Sequence, residues 1–138
     1  MSIQHMQIGE VAEHTGLSLR TIRYYEEVGL ISPSARTQGG FRLYTEPDVA
    51  RLNLVKRMKP LGFSLGEMRD LLSMLDDLEH SAPEAPAREA LIDRLAMYRT
   101  AAQERCAALR TQLDTAEAFS ADLRSEITRQ RNLAARPR

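Results

Sequence analysis

The chain has 138 residues, 19 basic and 19 acidic side chains and therefore no formal net charge, and a single cysteine, Cys106. That length accommodates one ordinary domain, or a small domain plus an extended element. No apolar run approaches the roughly 18 residues that cross a bilayer and no signal peptide is legible, so the reading is cytoplasmic, without a membrane partner; one cysteine also excludes an intrachain disulfide and an all-cysteine metal cage built from one chain. The pI near 6.8 lies below the value above about 9 that marks a strongly basic nucleic-acid-binding domain, so binding of that kind requires a local concentration of charge.

Met1 to Gln7 has no periodicity and is expected to be a frayed leader. Ile8, Val11, Ala12 and Leu17 supply the inward stripe of a first helix and its turn, ended by Thr15-Gly16. Ser18 is a good N-cap for a second helix, which should run to about Val28 and stop at Gly29. Ala12, Gly16 and Ile22 have the spacing of a helix-turn-helix: a small residue at the close crossing, a glycine in the turn, and a branched apolar anchor. Ile22 and Tyr25 then face the core. Arg20, Arg23 and Tyr24 face outward, where they can reach phosphates and base edges. From Ser18 to Tyr44 four arginines stand against two acids, Glu26 and Glu27, so this stretch is basic by two.

Ser32-Pro33 excludes a helix. Gly39-Gly40 permits the positive φ angles of a tight hairpin, and Phe41 and Leu43 alternate as in a short strand. This predicts a wing, with Arg36 and Arg42 on either side of its turn. Thr45-Glu46-Pro47-Asp48 opens a third helix whose inward face is Val49, Leu52, Val55 and Met58 or Lys59; Pro60 stops or bends it. Ser64 and Glu67 form a capping box for a fourth helix, with Met68, Leu71, Leu72 and Leu75 on one side.

The blocks Ile8-Gly9-Glu10-Val11-Ala12, Thr21-Ile22-Arg23-Tyr24-Tyr25-Glu26, Gly29-Leu30, Gly40-Phe41-Arg42-Leu43-Tyr44 and Leu61-Gly62-Phe63-Ser64-Leu65 together resemble the MerR family of bacterial transcription regulators, from Met6 to about Leu75. The resemblance implies a winged helix-turn-helix DNA-binding domain over residues 1–75, a long dimerisation helix paired as an antiparallel coiled coil, and an operator in the promoter spacer beside RNA polymerase holoenzyme. Carried over by position, the DNA contacts are Arg20, Arg23 and Tyr24 on the recognition helix, with Ser18 and Thr21 at its start. On the wing they are Arg36, Phe41, Arg42 and Tyr44, with Lys56 and Arg57 as further phosphate contacts. Pro60 stands where the family usually has a helix-compatible residue.

Residues 76–86, with Asp76-Asp77, Pro83 and Pro86, read as a linker. Residues 87–138 read as a long helix and a short tail, because no glycine or proline interrupts the chain from Ala87 to about Leu133. Leu91, Leu95, Tyr98, Ala102, Cys106, Leu109, Leu113, Ala116, Ser120, Leu123 and Ile127 recur by fours and threes. Such a stripe cannot cover itself, so a homodimer is expected. Cys106 on that seam reads as a small packed residue; a redox or metal role is the competing reading. Metal-responsive members of the family carry paired cysteines after the dimerisation helix, whereas Asn132 to Arg138 has none, and His5, His14 and His80 are scattered, so no metal or cofactor is expected. A small-molecule effector, if it binds, is placed near Met68, Leu72, Met97 and Tyr98. The mainly α chain is thus expected to be a dimeric, sequence-specific regulator of double-stranded promoter DNA, not an enzyme, acting by distortion of spacer DNA in response to a non-metal signal. The alternatives are an excisionase-like or architectural DNA-binding protein, or a coiled-coil interaction adaptor.

Overall fold

The computed structural model describes residues 5–137. Met1 to Gln4, the bulk of the expected leader, lie outside the described residues. The remainder of that segment is ordered: Met6–Gln7 forms strand β1 and pairs antiparallel with Tyr44 and Leu43 of strand β3 (Arg42–Tyr44). Strand β2 (Ala35–Arg36) lies on the other side of β3, placing Arg36 directly opposite Arg42 and giving the order β1-β3-β2. A two-residue strand carries no readable alternation, and β1 is held by its partner.

Helix α1 (Ile8–Thr15) ends at Gly16, whose φ of 71° is the left-handed conformation of a helix C-cap; its N–H donates to the Ala12 carbonyl at 2.8 Å. Lys56 Nζ donates to the Thr15 carbonyl at 2.6 Å, placing a cation on the negative end of α1. A Cβ at residue 16 would stand 3.0 Å from that Nζ, so both the backbone angle and the lysine favour glycine. Helix α2 (Leu19–Glu27) starts on Ser18, whose Oγ accepts from the Thr21 N–H at 3.1 Å. It ends at Val28 and Gly29, and Arg69 donates to the Val28 carbonyl.

Helix α3 (Glu46–Met58) begins with Asp48 accepting from the Thr45 N–H at 2.9 Å and from the Ser34 hydroxyl at 2.6 Å, which ties the start of the wing to the helix. Pro60 lies in a 3-10 turn over Lys59–Leu61 that closes on Gly62 at φ 81°. Helix α4 (Leu65–His80) follows, with Ser64 and Glu67 capping each other's amides. It continues past Asp76-Asp77, so the expected linker begins late: the non-helical segment is residues 81–85. Arg51 from α3 grips Asp76 through two hydrogen bonds of 2.9 and 2.7 Å, which compensates a carboxylate near the helix C-terminus.

Val11, Ile22, Tyr25, Leu52, Val55, Met58, Met68, Leu71, Leu72 and Met74 form the core. Burial of each large apolar side chain contributes roughly 1.5–3 kcal/mol. Helix α5 (Pro86–Ala135) has 50 residues, a length of about 75 Å. The chain divides into two compact units, Met1–Tyr98 and Arg99–Arg138. Within the first, the opening turns of α5 are tied to α4: Asp70 accepts from the Tyr98 hydroxyl at 2.7 Å and from Arg94, and the Tyr98 ring lies 6.1 Å from that of Phe63. In the second, the described residues form continuous helix to Ala135.

Candidate nucleic-acid interface

The outward face of α2 is set by the inward one. Ile22 is fully buried and Tyr25 nearly so, and at 100° per residue this turns Arg20, Arg23 and Tyr24 to solvent. All three are exposed, and the Tyr24 ring leans on Tyr25 with centroids 5.9 Å apart. They line an open cleft of about 630 Å³ together with Thr21, Glu27, Arg42 and Lys59. Four cations against one acid make it a concentrated basic surface on a chain of zero net charge. Lys59 was not singled out in the sequence, where it stood as a candidate for the inward face of α3. Met58 takes that buried place and leaves Lys59 exposed at the start of the 3-10 turn.

The wing is a hairpin. The Gly40 N–H donates to the Thr37 carbonyl and the Thr37 N–H to the Phe41 carbonyl, both at 2.9 Å, with Gly40 at φ 83°. Phe41 projects from its tip, 65% exposed. Arg36 and Arg42 face each other across the strands, a like-charge pair that alone is unfavourable. Glu26 of α2 stands against both. Its Oε1 accepts from Arg42 Nε at 2.8 Å and lies 3.7 Å from an Arg36 nitrogen, while its Oε2 accepts from the Tyr44 hydroxyl at 2.8 Å. Burial alone raises the Glu26 pKa, but hydrogen bonds from Arg42 and Tyr44 and the two positive charges outweigh it, so the carboxyl is held below its usual range. Burial first, and then the bond to Glu26, pushes the Tyr44 hydroxyl well above the ordinary tyrosine value.

Tyr44, Lys56, Ser18 and Thr21, four of the expected contact residues, make hydrogen bonds within the chain. Tyr44 has no exposed surface and spends its hydroxyl on Glu26, so it supports the wing from inside. Lys56 is committed to the Thr15 carbonyl and supports the turn between α1 and α2. Ser18 caps α2 and also donates to the Thr21 hydroxyl at 2.8 Å, so both have a local structural role. Arg20, Arg23, Tyr24, Arg36, Phe41, Arg42 and Arg57 retain solvent-accessible side chains.

The four residues placed near an effector differ in burial. Met68 and Leu72 lie in the core of the first unit, whereas Met97 is 71% exposed, and Tyr98 is engaged with Asp70 and Phe63. Along the expected seam, Leu91, Leu95, Tyr98 and Ala102 are half-buried within the chain, while Cys106, Leu109, Leu113, Ala116 and Leu123 are exposed. Phe119 and Leu133, absent from the expected seam, are exposed as well and widen the apolar face on one side. No described helix is long and apolar enough to cross a membrane.

Residues 6–75 match the family described as MerR HTH family regulatory protein, and residues 49–133 match the family described as MerR, DNA binding. Heavy metal-dependent transcription regulator 2 of Rhizobium meliloti (strain 1021) is 40% identical over 82 residues, 59% of this chain and 56% of that protein. The HTH-type transcriptional regulator ZntR of Escherichia coli (strain K12) is 47% identical over 74 residues, 54% of this chain and 52% of that protein. The chain thus spans about half the length of these curated relatives. Among solved structures, a MerR family transcriptional regulator from Bacillus cereus is similar with a TM-score of 0.58 and 27% identity, over 98% of this chain and 88% of that one. Two family matches that overlap and together run from the first strand to near the end of α5 carry the assignment: the chain belongs to the MerR family of helix-turn-helix regulatory proteins.

Proposed function

We propose that the protein is a cytoplasmic, dimeric regulator that reads two half-sites of promoter DNA and changes transcription by distorting the DNA between them. The observation that carries this reading is the basic cleft: Arg20, Arg23 and Tyr24 on α2, Arg42 on the wing and Lys59 line one concavity with four cations and an aromatic side chain. Arginines at the first turns of an exposed helix suit base edges in the major groove, and a winged hairpin suits the flanking phosphates. Dimerisation is supported by the exposed apolar face of α5 from Leu109 to Ile127, which pairs best with a second copy as an antiparallel coiled coil.

A pair of stiff helices fixes the spacing of two DNA-binding units, so a small change in their angle becomes bending and untwisting of the spacer where RNA polymerase holoenzyme engages. The energy required is on the order of a few kcal/mol, within reach of a ligand that prefers one state. That ligand we take to be a non-metal effector: Cys106 lies on an exposed helical face rather than in a ligand loop, and His14 and His80 stand on different helices. Protein mixed with random duplex DNA enriches a two-fold symmetric sequence; enrichment of no sequence rejects the reading. Deleting one or two base pairs from the spacer of its promoter makes transcription independent of the signal, with bound protein now repressing. Zinc, copper, mercury or lead salts leave the intact promoter unchanged, and a response to any of them overturns the non-metal assignment.

A further inference from the structure

We propose that Glu26 is a positioning residue for DNA recognition, which locks the wing onto the recognition helix and aims Arg42 at phosphate; this rests on the DNA-binding reading above. Three observations meet at this one carboxylate. It is on α2, the helix that displays Arg20 and Arg23, yet its partners Arg42, Arg36 and Tyr44 are all on the wing strands. Its side chain is 14% exposed, and each of its two oxygens accepts a hydrogen bond from a wing residue. It binds Arg42 through Nε alone, with one hydrogen bond of 2.8 Å. The two terminal nitrogens of that guanidinium, whose side chain is 36% exposed, are left to donate elsewhere.

An arginine held by its Nε has one rotational freedom removed, and its remaining fork suits the two oxygens of a phosphate. Glu26 also offsets the like-charge opposition of Arg36 and Arg42 across the hairpin. Tyr44 completes the arrangement from the buried side by fixing the second oxygen of the carboxylate. The recognition helix and wing therefore present their cations as one rigid surface rather than two independently moving ones.

This assignment predicts a sign opposite to that of simple electrostatics. An acid beside a DNA-binding surface repels phosphate, so its neutralisation should tighten binding. A positioning role requires that its loss weaken binding. Affinity is measured for wild type, Glu26→Gln, Tyr44→Phe, Arg42→Ala and the Glu26→Gln/Arg42→Ala double variant, on the duplex that wild-type protein enriches from random DNA and on an unrelated duplex, over a range of salt concentrations. Thermal melting of each variant is followed in parallel.

Glu26→Gln is expected to weaken binding about tenfold and lower the salt slope by about one unit. Arg42→Ala added to Glu26→Gln costs less than about twofold more, because the phosphate contact is already lost. Tyr44→Phe changes no charge and no DNA-accessible atom, yet weakens binding in the same direction. Tighter binding by Glu26→Gln, or an unchanged affinity and salt slope with a lowered melting temperature, overturns the proposal and leaves Glu26 a stability element. Should Glu26→Gln fail to fold, Tyr44→Phe decides: wild-type affinity and slope in that variant overturn it. Wild-type protein that enriches no sequence rejects the DNA-binding reading itself, and the proposal with it.

Discussion

The two units use the same apolar residue types at the same helical spacing and arrive at opposite burial. Up to Tyr98, Leu52, Val55, Met68, Leu72 and Met74 are covered by other helices of the same chain. In Arg99–Arg138, Leu109, Leu113, Phe119, Leu123 and Ile127 remain 46–63% exposed. Periodicity says that a face is to be buried; it does not say what buries it. The first unit holds its own cover because short helices and a hairpin fold back on one another. Among the described residues the second unit is a single helix with no second element of its own to cover that face, and that difference is the physical argument for a second copy.

The contrast is broken most severely by a charge on the open face. Leu113→Glu leaves the first unit folded, because residue 113 does not belong to its core, but places a carboxylate in the seam of the dimer we propose. Sedimentation is expected to show a monomer where wild type is dimeric. A dimer that survives the substitution places the interface on another face of α5. On the closed side, Ile22→Ala removes a fully buried anchor of the recognition helix. It is expected to cost about 2–5 kcal/mol, read as a fall in melting temperature that does not depend on protein concentration. The α5 contribution, in contrast, depends on concentration because it arises from association.

Next in size is the division of labour inside the basic cleft. Arg23→Ala on α2 is expected to lose about 1–3 kcal/mol of affinity and to relax preference at one base position. Arg42→Ala on the wing weakens binding to all sequences and lowers the salt slope by about one unit. Losses that are equal and independent of sequence remove the base-reading role from Arg23.

What could be read in the sequence follows the range of the interaction concerned. Ser18, Gly16 and the Ile22–Tyr25 face are decided within a turn or two, by capping, by positive φ and by helical period, and these features appear as expected. Glu26 and Tyr44 are 18 residues apart, and their bond depends on how the wing returns to α2. In the sequence Glu26 counts only as a charge subtracted from a basic stretch, and the family resemblance places Tyr44 among the DNA contacts. The late end of α4 has a similar cause, since Arg51 reaches Asp76 across 25 residues. Met68 and Leu72 are buried in the core of the first unit; in the sequence, an apolar stripe looks the same whether it faces a core or a pocket.

The smallest expected effects are pH-dependent. Glu26 and Asp70 are both held below their usual pKa, Asp70 by hydrogen bonds from Tyr98 and Arg94. A lowered carboxyl pKa stabilises the fold above its unfolded value, and that stabilisation is lost as pH falls through the folded one, so melting temperature is expected to decline below about pH 4. Tyr98 is raised to about 12 by burial and by its bond to Asp70. Its stabilisation is complete below about pH 10 and is lost as pH rises through the folded value. Tyr98→Phe is expected to cost about 0.5–1 kcal/mol near neutrality and to flatten that alkaline decline. An unaltered alkaline decline in Tyr98→Phe removes the Asp70–Tyr98 bond from the stability of the first unit.

The rigid coupling of two DNA-binding units is tested most directly by DNA spacing. Affinity is compared between the symmetric duplex that wild-type protein enriches and the same duplex with about five base pairs, half a helical turn, inserted at its centre. A dimer of stiff helices cannot engage two half-sites rotated to opposite faces, so the predicted loss is on the order of 100-fold, down to the affinity of a single half-site. Equal affinity for both duplexes contradicts the account, because it means that each unit reads DNA on its own.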